Sequence, residues 1–187
     1  MRAFSILATI TAFALSVNAA SYNKRAISEN VQSCISGINT IDSKVLEFNI
    51  ALNNFTRADE FIGGARLHTA EQAIESLYNT TNIACCATTT TVSDEEAMGL
   101  LDAFGKITPD ITNTFGGFII KKPEFSAVPV LRVVYKSNTQ TLSVVVKKLD
   151  SCLIAVTPEP LQARAQAYAA TIDAKIVEAF AVYNITS

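Results

Sequence analysis

The chain has 187 residues, 49% of them hydrophobic and 17% charged, with a formal net charge of −2, four cysteines and one histidine. That apolar content weighs against a disordered chain and is enough for one buried core. The slight acidic excess weighs against nucleic acid and anionic lipid surfaces as partners, and a lone histidine without a C-x-x-C pair weighs against a metal site.

Residues 1–19 read as a secretory signal peptide. Arg2 supplies the positive start, Ile6 to Val17 the apolar run, and Val17-Asn18-Ala19 the small-residue cleavage site. The run is short for a bilayer span, so no transmembrane segment is expected and the protein is expected to be secreted and extracellular. Lys24-Arg25 then forms a candidate processing site, ending a propeptide over 20–25 and exposing Ala26. The remaining 26–187 is the size of one domain and keeps 12 basic against 17 acidic residues.

From 27 to 52 the apolar positions are Ile27, Val31, Cys34, Ile38, Ile41, Val45, Phe48 and Leu52. Steps of four and three straddle the helical turn, so all eight share one face of a helix capped by Ser28 and ending near Asn53-Asn54. A second helix is predicted over 56–79, with Leu67, Ala70, Ile74 and Leu77 inward. Gly63-Gly64 marks a bend or a close helix contact in it. The polar, threonine-rich stretch 79–91, which holds Cys85 and Cys86, reads as a loop.

The third helix opens on a capping box of Ser93 and Glu96, and its stripe is Ala97, Leu101, Phe104, Ile107 (or Thr108), Ile111, Phe115 and Phe118. Pro109 is expected to kink or split it, and Gly116-Gly117 with Pro123 to close it. After Ser126 the fourth stripe is Val128, Leu131, Tyr135, Leu142, Val146, Leu149, Leu153 and Val156. Val133-Val134-Tyr135 and Val144-Val145-Val146 favour strand locally, but the sustained 3-4 spacing favours helix. The fifth helix has Thr157 as N-cap and Pro158 at its first position. Its stripe of Leu161, Ala165, Tyr168, Ile172, Ile176, Ala179 and Tyr183 is widened by Ala163, Ala167, Ala170, Ala174 and Ala181. The fold class is all-α, a bundle of about five amphipathic helices able to enclose an internal apolar cavity.

In an oxidising compartment Cys34, Cys85, Cys86 and Cys152 suggest two disulfides. A direct Cys85–Cys86 bond strains the backbone, which leaves Cys34 and Cys152 each pairing with one of the vicinal cysteines, or with each other. Sequons at Asn54, Asn79 and Asn184 fall near predicted helix ends, where glycans sit in solvent. Lys121-Lys122 and Lys147-Lys148 read as solvated faces.

Catalysis is not expected, and no cofactor is implied. His68, between Leu67 and Thr69, is the only imidazole base. There is no G-x-S-x-G, no H-E-x-x-H and no glycine-rich phosphate loop, and no carboxylate pair falls at the predicted inward positions. What the chain does have is apolar side chains in excess. Most are core, yet a broad bundle with glycine pairs and a proline break can leave a cavity, and apolar cavities take apolar ligands. Candidate lining residues are Phe48, Leu101, Phe104, Phe115, Leu131, Tyr135, Leu142, Tyr168 and Ile172. Tyr135, Arg132 and Arg66 are candidates by position to meet the head group of a fatty carboxylate.

Four stretches carry a family resemblance: I-S-E-N-V-Q at the first helix, S-D-E-E-A at the third, the linker I-I-K-K-P-E-F-S-A-V-P-V, and T-P-E-P before the alanine-rich last helix. Over 27–184 the chain resembles the fungal hydrophobic surface-binding protein A family, also described as cell-wall galactomannoproteins. The resemblance implies a secreted, non-enzymatic helical domain that adsorbs to hydrophobic surfaces and in some members encloses a fatty acid. Some members help secreted hydrolases reach a hydrophobic solid, and others are antigenic wall proteins. The family offers no catalytic residues to carry over. The four cysteines are not a hallmark of it, and the chain shows no serine/threonine-rich tail or anchor signal, which argues against stable wall attachment. The expected partner is therefore a hydrophobic surface or a fatty-acid-like lipid. Two readings compete: a bundle that binds, inhibits or recruits an extracellular hydrolase, and a structural cell-wall glycoprotein without a ligand.

Overall fold

The computed structural model describes residues 27–88 and 90–186, and the expected signal peptide over 1–19, the expected propeptide over 20–25 and the candidate Lys24-Arg25 cut lie outside the described residues. Five long helices follow in order: α1 Glu29–Asn54, α2 Glu60–Cys86 after a 3-10 turn Arg57–Asp59, α3 Asp94–Ser126, α4 Pro129–Val156 and α5 Glu159–Tyr183. No strand occurs among the described residues. α1 packs on α2 and α3, α2 on α4, and α5 on α3 and α4, with α3 also touching α4. The helices thus close a ring around one core.

The apolar stripes set the inward faces. α1 buries Val31, Cys34, Ile38, Ile41, Val45, Phe48 and Leu52, while Ile27, ahead of the first turn, stays 42% exposed. α4 is helical through both valine runs because Leu131, Tyr135, Leu142, Val146, Leu149 and Leu153 are buried, with Val133 and Val144 turned to solvent. Each buried side chain of that size contributes about 1.5–3 kcal/mol, more than the local preference for strand.

The Ser93–Glu96 capping box forms as the sequence predicts. Glu96 does more than that, since its Oε1 accepts the backbone N–H of Ser28 at 2.8 Å and its Oε2 that of Ser93 at 3.1 Å. One carboxylate therefore ties together the starts of α1 and α3. These hydrogen bonds, the one from Ser28 foremost, lower its pKa to about 2.

Four expectations need correction. The predicted loop over 79–91 is helical as far as Cys86, and Asn79 lies exposed within α2 rather than at its end. The polar run stays helical because Tyr78, Thr81, Asn82 and Cys85 are buried on the inward face, with Asn82 Nδ2 donating to Val145 O at 3.0 Å. α3 is neither split at Pro109 nor closed at Gly116-Gly117, and it carries Pro123 as well. At Gly117 a Cβ would sit 2.5 Å from Leu52 Cδ2, so this glycine admits α1 rather than ending α3. Thr157 does not cap α5: it is buried, its hydroxyl donates to Leu153 O at 2.6 Å, and Pro158 takes the cap position. Finally, Ala163, Ala167, Ala170, Ala174 and Ala181 stay exposed and do not widen the core face.

The disulfides are Cys34–Cys85 and Cys86–Cys152. Adjacent residues on a helix diverge by about 100°, so vicinal cysteines within α2 reach two different neighbours, α1 and α4. The K-K-P-E-F segment is likewise a clasp rather than a solvated face. Lys121 Nζ donates to Phe55 O at 2.8 Å and Lys122 Nζ to Val182 O at 2.5 Å, serving the C-terminal ends of α1 and α5. Phe125 stacks between Tyr135, at 3.6 Å between centroids, and Phe55, at 4.9 Å.

Candidate functional site

The inward face of α2 is unusual for a bundle. It presents Gly64, Leu67, Glu71, Ile74, Tyr78, Thr81, Asn82 and Cys85, whereas the predicted Ala70 is exposed and Leu77 only half-buried. Glu71 is 1% exposed, as is Tyr78. No donor among the described residues reaches either carboxyl oxygen of Glu71, whose partner is the Glu75 carboxyl one turn on, with which it can share a proton, and the Tyr78 hydroxyl has no hydrogen-bond partner among them. The nearest imidazole atom, His68 Nδ1, is 3.9 Å from Glu71 Oε2. Burial, and after it the neighbouring Glu75, raises the Glu71 pKa to about 10, so this carboxyl is uncharged at neutral pH. Burial also raises the Tyr78 hydroxyl, with Asp150 and Asp42 adding to it.

Glu71 and Tyr78 line a small void of about 10 Å³, whose other walls are Val45 and Phe48 of α1, Ile74, Ile111 and Thr114 of α3, and Leu142 and Val146 of α4. That is the space of about one water molecule. On the outer side of the same wall, a groove of about 510 Å³ runs between α1 and α2 over Phe48, Ala51, Ala70, Ala73, Ile74 and Leu77. The Lys44–Glu47 ion pair, 2.7 Å apart, also lies on its wall. Past Ala51 and Ala70 it continues into a recess of about 250 Å³ bounded by Asn54, Phe55, Arg66 and Leu67. Phe48 and Ile74 border both groove and void. A largely apolar concavity of roughly 300–1,000 Å³ is the usual size of a small-ligand site.

Of the nine lining candidates, Phe48 and Leu142 meet at the void. Leu101, Phe104, Phe115, Leu131, Tyr135 and Ile172 are buried elsewhere in the core, and Tyr168 is half-buried, edge-on to Phe104 at 5.6 Å. Phe118 joins several of them, with Phe48 and Tyr135 each at 5.9 Å and Phe115 at 6.3 Å. Among the head-group candidates only Arg66 borders the groove system. Tyr135 is committed to Gly64 O at 3.0 Å, close to where Leu131 occupies the space a Cβ on Gly64 would take. Arg132 sits in a separate pocket of about 480 Å³ with Lys122, Lys136 and Tyr183.

Sequence reasoning missed Glu71 and Tyr78, and it placed Ala70 in the core rather than at the groove with Ala51 and Ala73. The signal for the first two exists: Leu67, Glu71, Ile74, Tyr78, Thr81 and Cys85 continue a strict 4-3 frame in which an acid occupies an apolar place. The apolar stripes also gave no sign that Glu71, Asp42 and Asp150 are buried, as all three are. Asp42 Oδ2 pairs with Lys106 Nζ at 2.8 Å, and burial followed by Asp173 raises Asp150 to about 7. Among the described residues no cluster of His, Cys, Asp and Glu could hold a metal ion, and no helix is long and apolar enough to cross a membrane.

The profile of the family described as Hydrophobic surface binding protein A matches residues 31–155. No curated protein matches the chain. Among solved structures it is similar to AfMP4p in complex with palmitic acid, at a TM-score of 0.75 and 20% identity, covering 82% of this chain and 99% of that one. It is also similar to ligand binding domain 1 of the Penicillium marneffei MP1 protein complexed with arachidonic acids, at a TM-score of 0.73 and 16% identity, covering 82% and 98%. Ligand binding domain 2 of that protein, complexed with multiple arachidonic acids, matches at a TM-score of 0.73 and 15% identity, covering 86% and 99%. At these identities the likeness establishes the fold.

Proposed function

Because the chain belongs to the hydrophobic surface binding protein A family, we propose that it is an extracellular binder of apolar chains and apolar surfaces, seating a fatty-acid-like ligand along the α1–α2 groove. The observation that carries this reading is the groove itself: about 510 Å³, floored by Phe48 and Ile74 and opened by Ala51, Ala70 and Ala73. The solved relatives AfMP4p and MP1 hold palmitic and arachidonic acids on the same fold, which supports the ligand class. The driving force is burial of apolar area, about 25 cal/mol per Å², so the protein acts by binding and not by bond chemistry. Of the lining candidates, Phe48 borders both groove and void and Leu142 the void, and the other seven lie outside both.

Two disulfides support an oxidising, extracellular setting. The exposed Asn54, Asn79 and Asn184 are proposed glycan sites, and sugars there are a means of association with the cell wall. The hydrolase-recruiting and ligand-free wall readings have no surface feature of their own behind them.

Titrating palmitic acid into the purified protein and into Ala70→Phe and Ala73→Phe tests the groove, with Ala167→Phe on the exposed face of α5 as control. Filling the groove is expected to weaken binding by about tenfold or more while the control binds as wild type. Equal binding by all four proteins, or none by wild type, contradicts the assignment.

A further inference from the structure

A second concavity, sharing no residue with the α1–α2 groove, opens where the ends of α3 and α5 meet the start of α4. It has a volume of about 480 Å³ and is lined by Lys122 and Ser126 of α3, Arg132, Val133 and Lys136 of α4, and Tyr183 and Asn184 at the end of α5. Three of these residues are cations and none is an acid, although residues 26–187 carry 17 acids against 12 bases. The neighbouring acids are turned elsewhere. Glu124 Oε2 accepts the backbone N–H of Arg57 at 2.9 Å, and Glu178 pairs with Lys175 at 2.6 Å.

Closing α5 accounts for part of this charge. That helix has no basic residue in its own last turn, and Lys122 and Lys136 donate instead to its final carbonyls, Val182 O at 2.5 Å and Asn184 O at 2.9 Å. Each ammonium spends one donor there and keeps the others. The Arg132 guanidinium plays no part in that closure, and it has no hydrogen-bond or ion-pair partner among the described residues. An arginine without a counter-charge, beside two lysines with donors to spare, makes a pocket that attracts anions.

We propose that this pocket binds a phosphate ester, with Arg132 gripping two phosphate oxygens, Lys122 and Lys136 supplying further donors, and Val133 facing the carbon side of the ester. Phosphate suits the pocket better than carboxylate does. A phosphate monoester carries about two negative charges at neutral pH and several acceptor oxygens, two of which fit the guanidinium fork. A single carboxylate would leave part of the cationic wall unmatched. The carbon side is provided for as well, since Val133 is 68% exposed. A lipid head group and a small soluble ester present the same chemistry here.

Titration of glycerol 3-phosphate, with glycerol as the uncharged control, into the purified protein and into Arg132→Gln tests the site. Flotation with phosphatidylcholine vesicles, with and without phosphatidic acid, separates the two sources of the ester. Wild type is expected to bind the phosphate in at least one of these forms, and Arg132→Gln to bind it about tenfold more weakly or worse. Arg132→Gln keeps the side chain's length and breaks no contact, so its fold is not at stake. Vesicle binding that requires both phosphatidic acid and Arg132 assigns the site to lipid, and uptake of glycerol 3-phosphate alone assigns it to a soluble ester. Glycerol 3-phosphate bound no better than glycerol, together with vesicle binding indifferent to phosphatidic acid, overturns the proposal. So does phosphate-dependent binding that Arg132→Gln leaves unchanged.

Discussion

A carboxyl with 1% of its surface exposed, facing a second carboxyl at Glu75, gives up its charge, and Glu71 does so at a cost that depends on pH. Its pKa is about 10 in the fold against an ordinary 4.5, so the folded protein keeps a proton that the unfolded chain releases. Between those values stability falls as pH rises, by up to about 1.4 kcal/mol per pH unit. Asp150, raised from 3.8 to about 7, adds to the same decline over its lower part. Glu96 works in the opposite sense: held at about 2 by its hydrogen bonds, it supports the fold above its ordinary 4.5 and loses that effect as pH falls towards 2. Urea midpoints measured from about pH 5 to 9 are therefore expected to decline with pH in wild type and to flatten in Glu71→Gln. Parallel slopes for the two proteins would show that Glu71 is not held neutral.

At the level of elements, α2 is the keystone, fastened to α1 through Cys34–Cys85 and to α4 through Cys86–Cys152. The second bridge joins residues 66 apart, so replacing Cys86 and Cys152 together with alanine is expected to lower unfolding free energy by about 3–4 kcal/mol. Chemical denaturation of the double variant measures this, and an unchanged midpoint would contradict it. Much of this level was legible in the sequence. The α1 stripe and the Ser93–Glu96 box could be read directly because their determinants lie within a few residues of each other. The C-terminal half of α2 could not, because Thr80, Thr81 and Asn82 favour turns locally and become helical through burial and the bond from Asn82 to Val145 O. Pro109 misled for the same reason. Its neighbours in α3 bury Phe104, Ile107, Ile111 and Phe115, and that packing carries the helix past one missing hydrogen bond. The groove was illegible in principle, since Ala51, Ala70 and Ala73 meet only once α1 and α2 pack side by side.

For the whole molecule, a closed ring of helices reconciles two demands. Disulfides and the Lys121–Phe125 clasp fix the ring at both ends of α2's neighbours, while the seam between α1 and α2 stays lined by small side chains over a nearly empty interior void. The void behind the groove has space for about one water, so an apolar chain lies in the groove itself, against Phe48 and Ile74. The most direct test is native mass spectrometry of the purified secreted protein before and after extraction with organic solvent. The account predicts a discrete mass loss equal to one single-chain lipid, restored when that lipid is added back. A single unchanged mass, with no uptake of added fatty acid or alcohol, would contradict it.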